Sequence, residues 1–514
     1  MRRHWKLFIA IAVVMLVLAG VWVVTMCIEP SDDVEAYKKS LIAKGEKLTV
    51  AELLPPPIPP AQNGADIIDA ASHLLVDPDG DWSNFPAAMQ FIAPGKAIVA
   101  FEQPDVRTDS FTNSWSNVLE AAEANRPATD VLKQMLSFSS LDFHIEYNEG
   151  NMWSWAPDQL GPFEDCSRRL LATAVCDLRK DDSASATTNI CVLLAFANGE
   201  HGERMPSVQY DRIELAEQAA KGSWELLQAD RLNDAELALL QTNWTQLEFI
   251  GAVEKAFLME RAAAESCISQ SRTSTNYFSE MKMRWGWNVF DFSRGLKENL
   301  DNFCDSSESM YGLALWQASW SYSDELKMLQ DDQLLLETMR TIKTNGFFNP
   351  DYSRMKGQLD ASQWAMHKSS FSAEYRWMFS SRVPGWADFL DCIMPAEACR
   401  RIVITAIALK RYQLKYGAYP THLDSLVPEF VLSVPMDPVD GKELRYHRNG
   451  DNAYLLYSIG MDSKDDGGNP SMKRTHADYF DWLEFDDPDW VWPQPATDAE
   501  IQYYYAHLPP KPIY

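Results

Sequence analysis

Leu7 to Ile28 is a run of 22 residues without a formal charge. No other feature restricts this chain's fold so strongly. As a helix at ~1.5 Å per residue it is about 33 Å long, enough for a ~30 Å hydrocarbon core. Arg2, Arg3 and Lys6 precede the run, and Glu29, Asp32, Asp33 and Glu35 follow it. The positive flank belongs in the cytoplasm, which puts the bulk of the chain on the far side. The expectation is a retained transmembrane signal anchor. A cleaved signal peptide is the alternative, with an apolar region of roughly 7–15 residues and an A-x-A-like site. Ala19-Gly20-Val21 matches that site poorly. Val24-Thr25-Met26-Cys27 lacks the small residues that lipoprotein processing favours.

Beyond the anchor, residues 31–64 read as a stalk. Thr49-x-x-Glu52 has the form of a capping box, and Pro55-Pro56-Pro57-Ile58-Pro59-Pro60 is a stiff, extended stop to that short helix. Residues 65–390 carry apolar residues at helical spacing. The stretches are Ile67–Leu75, Val131–Leu136, Arg169–Leu178, Ile190–Phe196, Ile213–Ala229, Ala235–Cys267 and Asp324–Lys343, the last closed by Asn345-Gly346. The fold class expected is mainly α: a membrane helix, a hairpin or solenoid-like helical body, and a small C-terminal α+β domain. The aromatic segment 271–320, with Tyr277, Phe278, Trp285, Trp287, Phe290, Phe292, Trp316 and Trp320, reads as packing, with a sugar or peptide platform as the functional alternative.

The whole chain has 73 acidic against 46 basic residues, a net charge of -27, which repels phosphate and excludes a general nucleic-acid binder. Hydrophobic residues make up 46%, so the chain has the apolar mass for a core and is not wholly disordered. The eight cysteines form no CxxC pair and have no histidine at zinc spacing. Cys392 and Cys399 flank a proline and are candidates for a disulfide across a turn. Buried thiols are the alternative for most of the others.

After Pro395 the pattern changes. Ala396–Tyr416 reads as one helix ended by Gly417 and Pro420. Arg445–Arg448 and Tyr454–Ile459 read as two strands across the turn Asn449-Gly450-Asp451-Asn452. The expectation is a helix on a small antiparallel sheet over 391–482, followed by an acidic, aromatic tail over 483–514 that either binds a partner or wraps the surface.

Tyr416-Gly417-Ala418-Tyr419-Pro420, Leu423, Leu426, Val427 and Pro435-x-Asp437-Pro438 stand in order in this region. Asp440-Gly441-Lys442, Tyr446, Tyr454-x-x-Tyr457-Ser458-Ile459-Gly460-Met461-Asp462 and Gly467-Gly468 follow, then Ala477-Asp478-Tyr479 and Trp482. Together they resemble the globular head of the type II secretion system major pseudopilin over about 399–482. The resemblance implies a calcium site in the C-terminal loop, with Asp462 and Asp478 as the best-matched ligands. Asp465, Asp466 and Ser458 stand nearby to complete a shell of oxygen donors. An EF-hand fails here, because Lys464 and Lys473 occupy ligand positions. A solvated acidic turn is the alternative. A pseudopilin carries its assembly helix directly ahead of this head, whereas the apolar run here lies nearly 400 residues upstream. Polymerisation into a pilus is therefore not implied. The resemblance adds a double-membrane bacterium, and with it a single-pass inner-membrane protein whose bulk is periplasmic.

No Gly-x-Ser-x-Gly elbow, His-Glu-x-x-His helix or phosphate-binding glycine loop occurs. His144-x-Glu146 and Glu200-His201-x-Glu203 are weak acid/base candidates. The expectation is an extracytoplasmic scaffold or binding protein with the membrane and a cell-envelope protein as partners. The alternative is an envelope-polymer hydrolase using paired carboxylates in a pocket of the helical body, beside Trp285, Trp287 or Trp320.

Overall fold

A computed structural model describes residues 31–76, 85–93, 95–108, 111–147, 160–273, 315–368, 376–469 and 488–507. The described part is mainly helical with a few small sheets. The expected transmembrane anchor, and the single-pass inner-membrane placement drawn from it, are corrected here. Among the described residues no helix is long and apolar enough to cross a membrane, and the Leu7–Ile28 run lies outside them. The reason is visible in the longest described helix, Val383–Tyr416, which carries Asp388, Asp391, Glu397, Arg400, Arg401, Lys410, Arg411 and Lys415 along its length.

The segment that reads as a stalk is packed against the body. Helix α1 (Asp32–Ala43) buries Val34 and Leu41, and Leu48 and Val50 follow them into a core shared with Met259, Ile268, Trp316 and Leu329. Helix α2 (Val50–Leu53) starts on the expected capping box of Thr49 and Glu52. Two buried ion clusters fix this segment. Lys38 lies 2.6 Å from Glu265 and also pairs with Glu325. Glu46 accepts from Arg261 at 3.0 Å and from Arg340 at 2.5 Å. Polar composition suggested solvent exposure; opposite charges on the facing helices made burial possible instead.

The body continues through α3 (Ala65–Ser72), α4 (Trp115–Ala124) and α5 (Arg126–Leu132). Five long helices follow: α6 (Leu160–Arg179), α7 (Ser183–Gly199), α8 (Pro206–Gln228), α9 (Asp234–Gln246) and α10 (Ile250–Thr273). The first three pack side by side in order, while α9 lies against α7 and α10 against α8. Asp182 and Asn233 cap α7 and α9 by accepting from Ser185 N and Glu236 N. The single helix expected over Ala235–Cys267 is broken at Leu247–Phe249. Leu247 and Phe249 are both buried, and Arg212 donates to the freed Glu248 carbonyl at 2.8 Å. The break has no glycine or proline to announce it; tertiary burial overrides the helical period.

Helices α11 (Ser321–Asn345), α12 (Asp351–Lys368) and α13 (Val383–Tyr416) complete the helical part. Gly346 and Gly417 end α11 and α13 in the left-handed region, at φ 81 and φ 80, where a β-carbon is disfavoured. Helix α13 starts well before Ala396 and runs through Pro395. Cys392 and Cys399 therefore share one helix, and the expected disulfide across a turn is not formed; both are free thiols, as are Cys166, Cys176, Cys191 and Cys267.

Strands β5 (Arg445–Arg448) and β6 (Tyr454–Ile459) pair antiparallel with Arg445 opposite Tyr457 and Arg448 opposite Tyr454. The third strand, β7 (Asp489–Val491), comes from the segment that reads as a tail, and pairs antiparallel with β6. Upstream, β1 (Gln90–Ala93) and β2 (Lys96–Ile98) form a hairpin, β3 (Val106–Arg107) and β4 (Thr112–Asn113) pair antiparallel, and β8 (Gln494–Pro495) pairs with β2 in parallel. Helix α14 (Asp498–Ala506) then lies near β1. One core runs through both parts: Leu193, Trp224, Trp244, Leu336, Ile402, Leu456 and Trp490 belong to a single buried cluster. The α+β unit is thus continuous with the helical body, since α13 packs against α8 and α9 on one side and meets β6 at its far end.

Candidate functional site

A cleft of about 410 Å³ opens between α6, α8 and the segment Phe85–Gln90. A smaller hollow of about 130 Å³ adjoins it, sharing Glu164, Glu214 and Gln218. On α8, Asp211, Glu214, Gln218 and Lys221 recur at threes and fours, so one face of that helix presents them together. Helix α6 supplies Glu164, Ser167 and Arg168, again one turn apart. Phe85 and Phe111 line the cleft and Phe163 the hollow.

Both signs of charge are present. Glu164 pairs with Arg168, and Glu217 lies 2.9 Å from Lys221. Two acceptor atoms facing this space, Asp211 Oδ2 and Gln218 Oε1, are buried and have no hydrogen-bond partner. Burial and the neighbouring Glu164 push the Asp211 carboxyl up to about 6. Burial pushes Glu214 up to about 7, helped by Asp211, Glu164 and Glu217 and opposed by Arg168. Carboxyls so placed exchange protons near neutral pH, the condition general acid–base work requires.

Other candidates from the sequence have structural employment. Glu203 accepts from Tyr147 OH at 2.6 Å and Phe143 N at 3.4 Å, tying the 143–147 segment to the α7–α8 turn. His201 meets the Asn198 carbonyl through Nδ1, and burial holds its pKa down. Glu200 is fully buried with both oxygens unpartnered, and burial drives its pKa well up. His144 is exposed. Trp316 is buried and donates to Asp324 at 2.8 Å, which makes it a packing residue. Tyr277, Phe278, Trp285, Trp287, Phe290 and Phe292 lie outside the described residues.

The nominated metal ligands are not brought together. Asp462 is exposed and pairs with Lys464 at 3.2 Å. Asp465 accepts from Tyr457 OH at 2.9 Å and from Arg445 at 3.4 Å. Asp466 is exposed, and its backbone N–H donates to Asp489 at 3.1 Å. Ser458 points inward and donates to Asp437 at 2.7 Å. Asp478 lies outside the described residues, as do Ala477, Tyr479 and Trp482. Among the described residues no group of three or more His, Cys, Asp or Glu side chains is arranged to hold a metal ion. The described part of the loop turns backbone N–H donors from Asp466, Gly468 and Asn469 onto the Asp489 carboxylate.

Asp437 and Asp489, both fully buried, organise this end of the molecule; in the sequence the first stands only as part of the motif Pro435-x-Asp437-Pro438 and the second as part of the acidic tail. Their signal was positional: one stands in Pro435-x-Asp437-Pro438 ahead of β5, the other opens the third strand. No family model, curated protein or solved structure matches this chain.

Proposed function

We propose that this chain is a binding protein whose ligand seats in the cleft between α6 and α8. The observation that carries the reading is the pair of buried, unpartnered acceptors, Asp211 Oδ2 and Gln218 Oε1, beside a hollow of about 130 Å³. Buried polar atoms without partners are rare in native proteins, and acceptors in this position call for a donor supplied from outside. A ligand rich in hydroxyl or amino groups supplies it, with Phe85 and Phe111 giving apolar faces. The α+β end is proposed as a pseudopilin-like module in this assembly. Its support is the order of elements: a long helix, a left-handed glycine cap at Gly417, and three antiparallel strands with a long connection before the last.

A second reading is favoured by Asp211 and Glu214, which sit near neutral pH in one cleft. A hydrolase of glycosidic polymers uses such a pair, one carboxyl giving a proton and the other taking one. Calorimetric titration with soluble chito- and cello-oligosaccharides, followed by a reducing-end assay across pH 5–8, separates the two readings. Heat without turnover supports the binding protein. Turnover with a bell-shaped profile, lost in Glu214→Gln, supports the hydrolase. No heat from any oligosaccharide rejects carbohydrate as the ligand for both.

The same residues give a stability prediction. A carboxyl whose folded pKa is raised binds its proton more tightly in the native state, so its ionisation opposes folding as pH rises through 4.5 to 7. Glu214→Gln is therefore expected to melt higher than the wild type at pH 8, with the difference vanishing near pH 4. Thermal unfolding at the two pH values checks this.

A further inference from the structure

One of the carboxylates that the resemblance assigns to calcium, Asp465, faces a guanidinium, that of Arg445. Arg445 Nη1 donates to Asp437 Oδ2 at 2.7 Å and to Asp440 Oδ1 at 3.2 Å. Its Nη2 donates to Asp440 Oδ2 at 2.8 Å, and its Nε faces Asp465 Oδ2 at 3.4 Å. Three carboxylates from two turns and the β6–β7 connection thus converge on one side-chain cation.

Each is held from behind. Asp437 is fully buried and also accepts from Ser458 Oγ at 2.7 Å, Ile459 N at 2.9 Å and Val439 N at 2.9 Å. Asp440 accepts from Lys442 N at 3.1 Å. Asp465 accepts from Tyr457 OH and from Gly467 N at 3.1 Å. Lys442 approaches Asp440 at 3.3 Å from outside, its side chain 77% exposed, and contributes little at that exposure.

We propose that Arg445 is a built-in counter-cation that occupies the structural place of a metal ion, so that the β6–β7 connection is anchored without calcium. The chemistry suits the position. A guanidinium is always charged and presents its donors in a rigid planar fork, which binds two carboxylates at fixed angles. Its hydrogen bonds here run from 2.7 to 3.4 Å, whereas calcium draws six to eight oxygens to about 2.3–2.6 Å. The carboxylates here are spaced for the first and not for the second. Removing the guanidinium leaves three acidic groups facing one vacated position, with Asp437 buried and uncompensated. A divalent ion is then the natural replacement.

The test uses the full chain and reads melting temperature in millimolar calcium, in magnesium and in chelator. Wild type is expected to melt at the same temperature in all three. Arg445→Met is expected to melt several degrees lower in chelator and to recover part of the loss in calcium, but not in sodium of equal ionic strength. Arg445→Lys, which keeps the charge, is expected to lose less and to stay indifferent to calcium. A wild type stabilised by calcium overturns the proposal, because the connection then takes a metal in addition to Arg445. A methionine variant that melts like wild type overturns it, as does one whose loss calcium does not restore. If Arg445→Met does not fold in chelator, recovery of folded protein in calcium supports the proposal. If it folds in neither, the lysine variant decides: folding with no response to calcium supports the counter-cation, and failure to fold overturns it.

Discussion

Replacing Glu46 by alanine is expected to destabilise the protein by about 3–5 kcal/mol, the usual cost of removing one member of a buried ion cluster. Glu46 has a side chain only 6% exposed, and Arg261, with which it pairs, is fully buried. Without Glu46, Arg261 keeps only Gln333 Oε1 at 2.8 Å and the Lys47 carbonyl at 3.2 Å, and carries an uncompensated charge. Arg340 loses both of its bonds to Glu46 and retains Glu254 at 2.7 Å. Urea unfolding of the full chain measures the loss. The pH dependence gives an independent check. Burial pushes the Glu46 carboxyl up, but hydrogen bonds from Arg340, Gln333 and Arg261 outweigh it and draw the carboxyl down to about 2. A depressed folded pKa contributes stability that is complete above the unfolded value near 4.5 and is lost as pH falls toward 2. Wild type should lose stability over that window, and Glu46→Gln, already weaker, should lose less of it. Equal slopes would refute the assignment.

A chain ending at Asp487 is expected not to reach a packed native state. The cut removes β7, β8 and α14, and with them Trp490, fully buried, and Trp492, 2% exposed. Trp224, itself fully buried, loses the Pro493 carbonyl that its indole N–H reaches at 2.9 Å. Leu456 O loses Trp492 N at 2.9 Å, and β6 is left as an open edge. Loss of one large aromatic from a core costs about 3–5 kcal/mol. Two such losses with their strand pairing consume most of the roughly 5–15 kcal/mol that holds a typical domain. Near-ultraviolet circular dichroism and binding of a hydrophobic dye read the outcome. A truncated chain with sharp tryptophan bands and no dye binding would refute the claim that both ends share one core.

The helical body was legible because apolar residues recur at threes and fours over long stretches, and Asn345-Gly346 stands where a helix end requires a cap; the N-terminal caps Asp182 and Asn233 emerge only in the structure. Strands Arg445–Arg448 and Tyr454–Ile459 were legible to the residue, because alternation and the Asn449-Gly450 turn agree. What escaped had no local signature. The third strand is three residues between Pro488 and Pro493, and becomes a strand only because β6 offers it an edge. The packing of α1 depends on Glu265, Glu325, Arg261 and Arg340, all more than 200 residues away. In the cleft, Asp211, Glu214 and Gln218 have the spacing of any solvated helix face, and only the approach of α6 distinguishes them. Around the nominated metal ligands, acidity was readable, but not that Arg445 would bond Asp465 or that Ser458 would turn inward.

The parallel pairing of β8 with β2 has a consequence for synthesis. Lys96 lies opposite Gln494, and Ala97 opposite Pro495. During translation the hairpin of β1 and β2 emerges well before β8 and keeps an unpaired edge until β8 has been made. Loop closure over such a distance is slow, and exposed strand edges favour aggregation while it is pending. This pairing therefore waits until the helices between β2 and β8 have been made, and recovery in a heterologous host should respond to chaperone supply more than to codon pace.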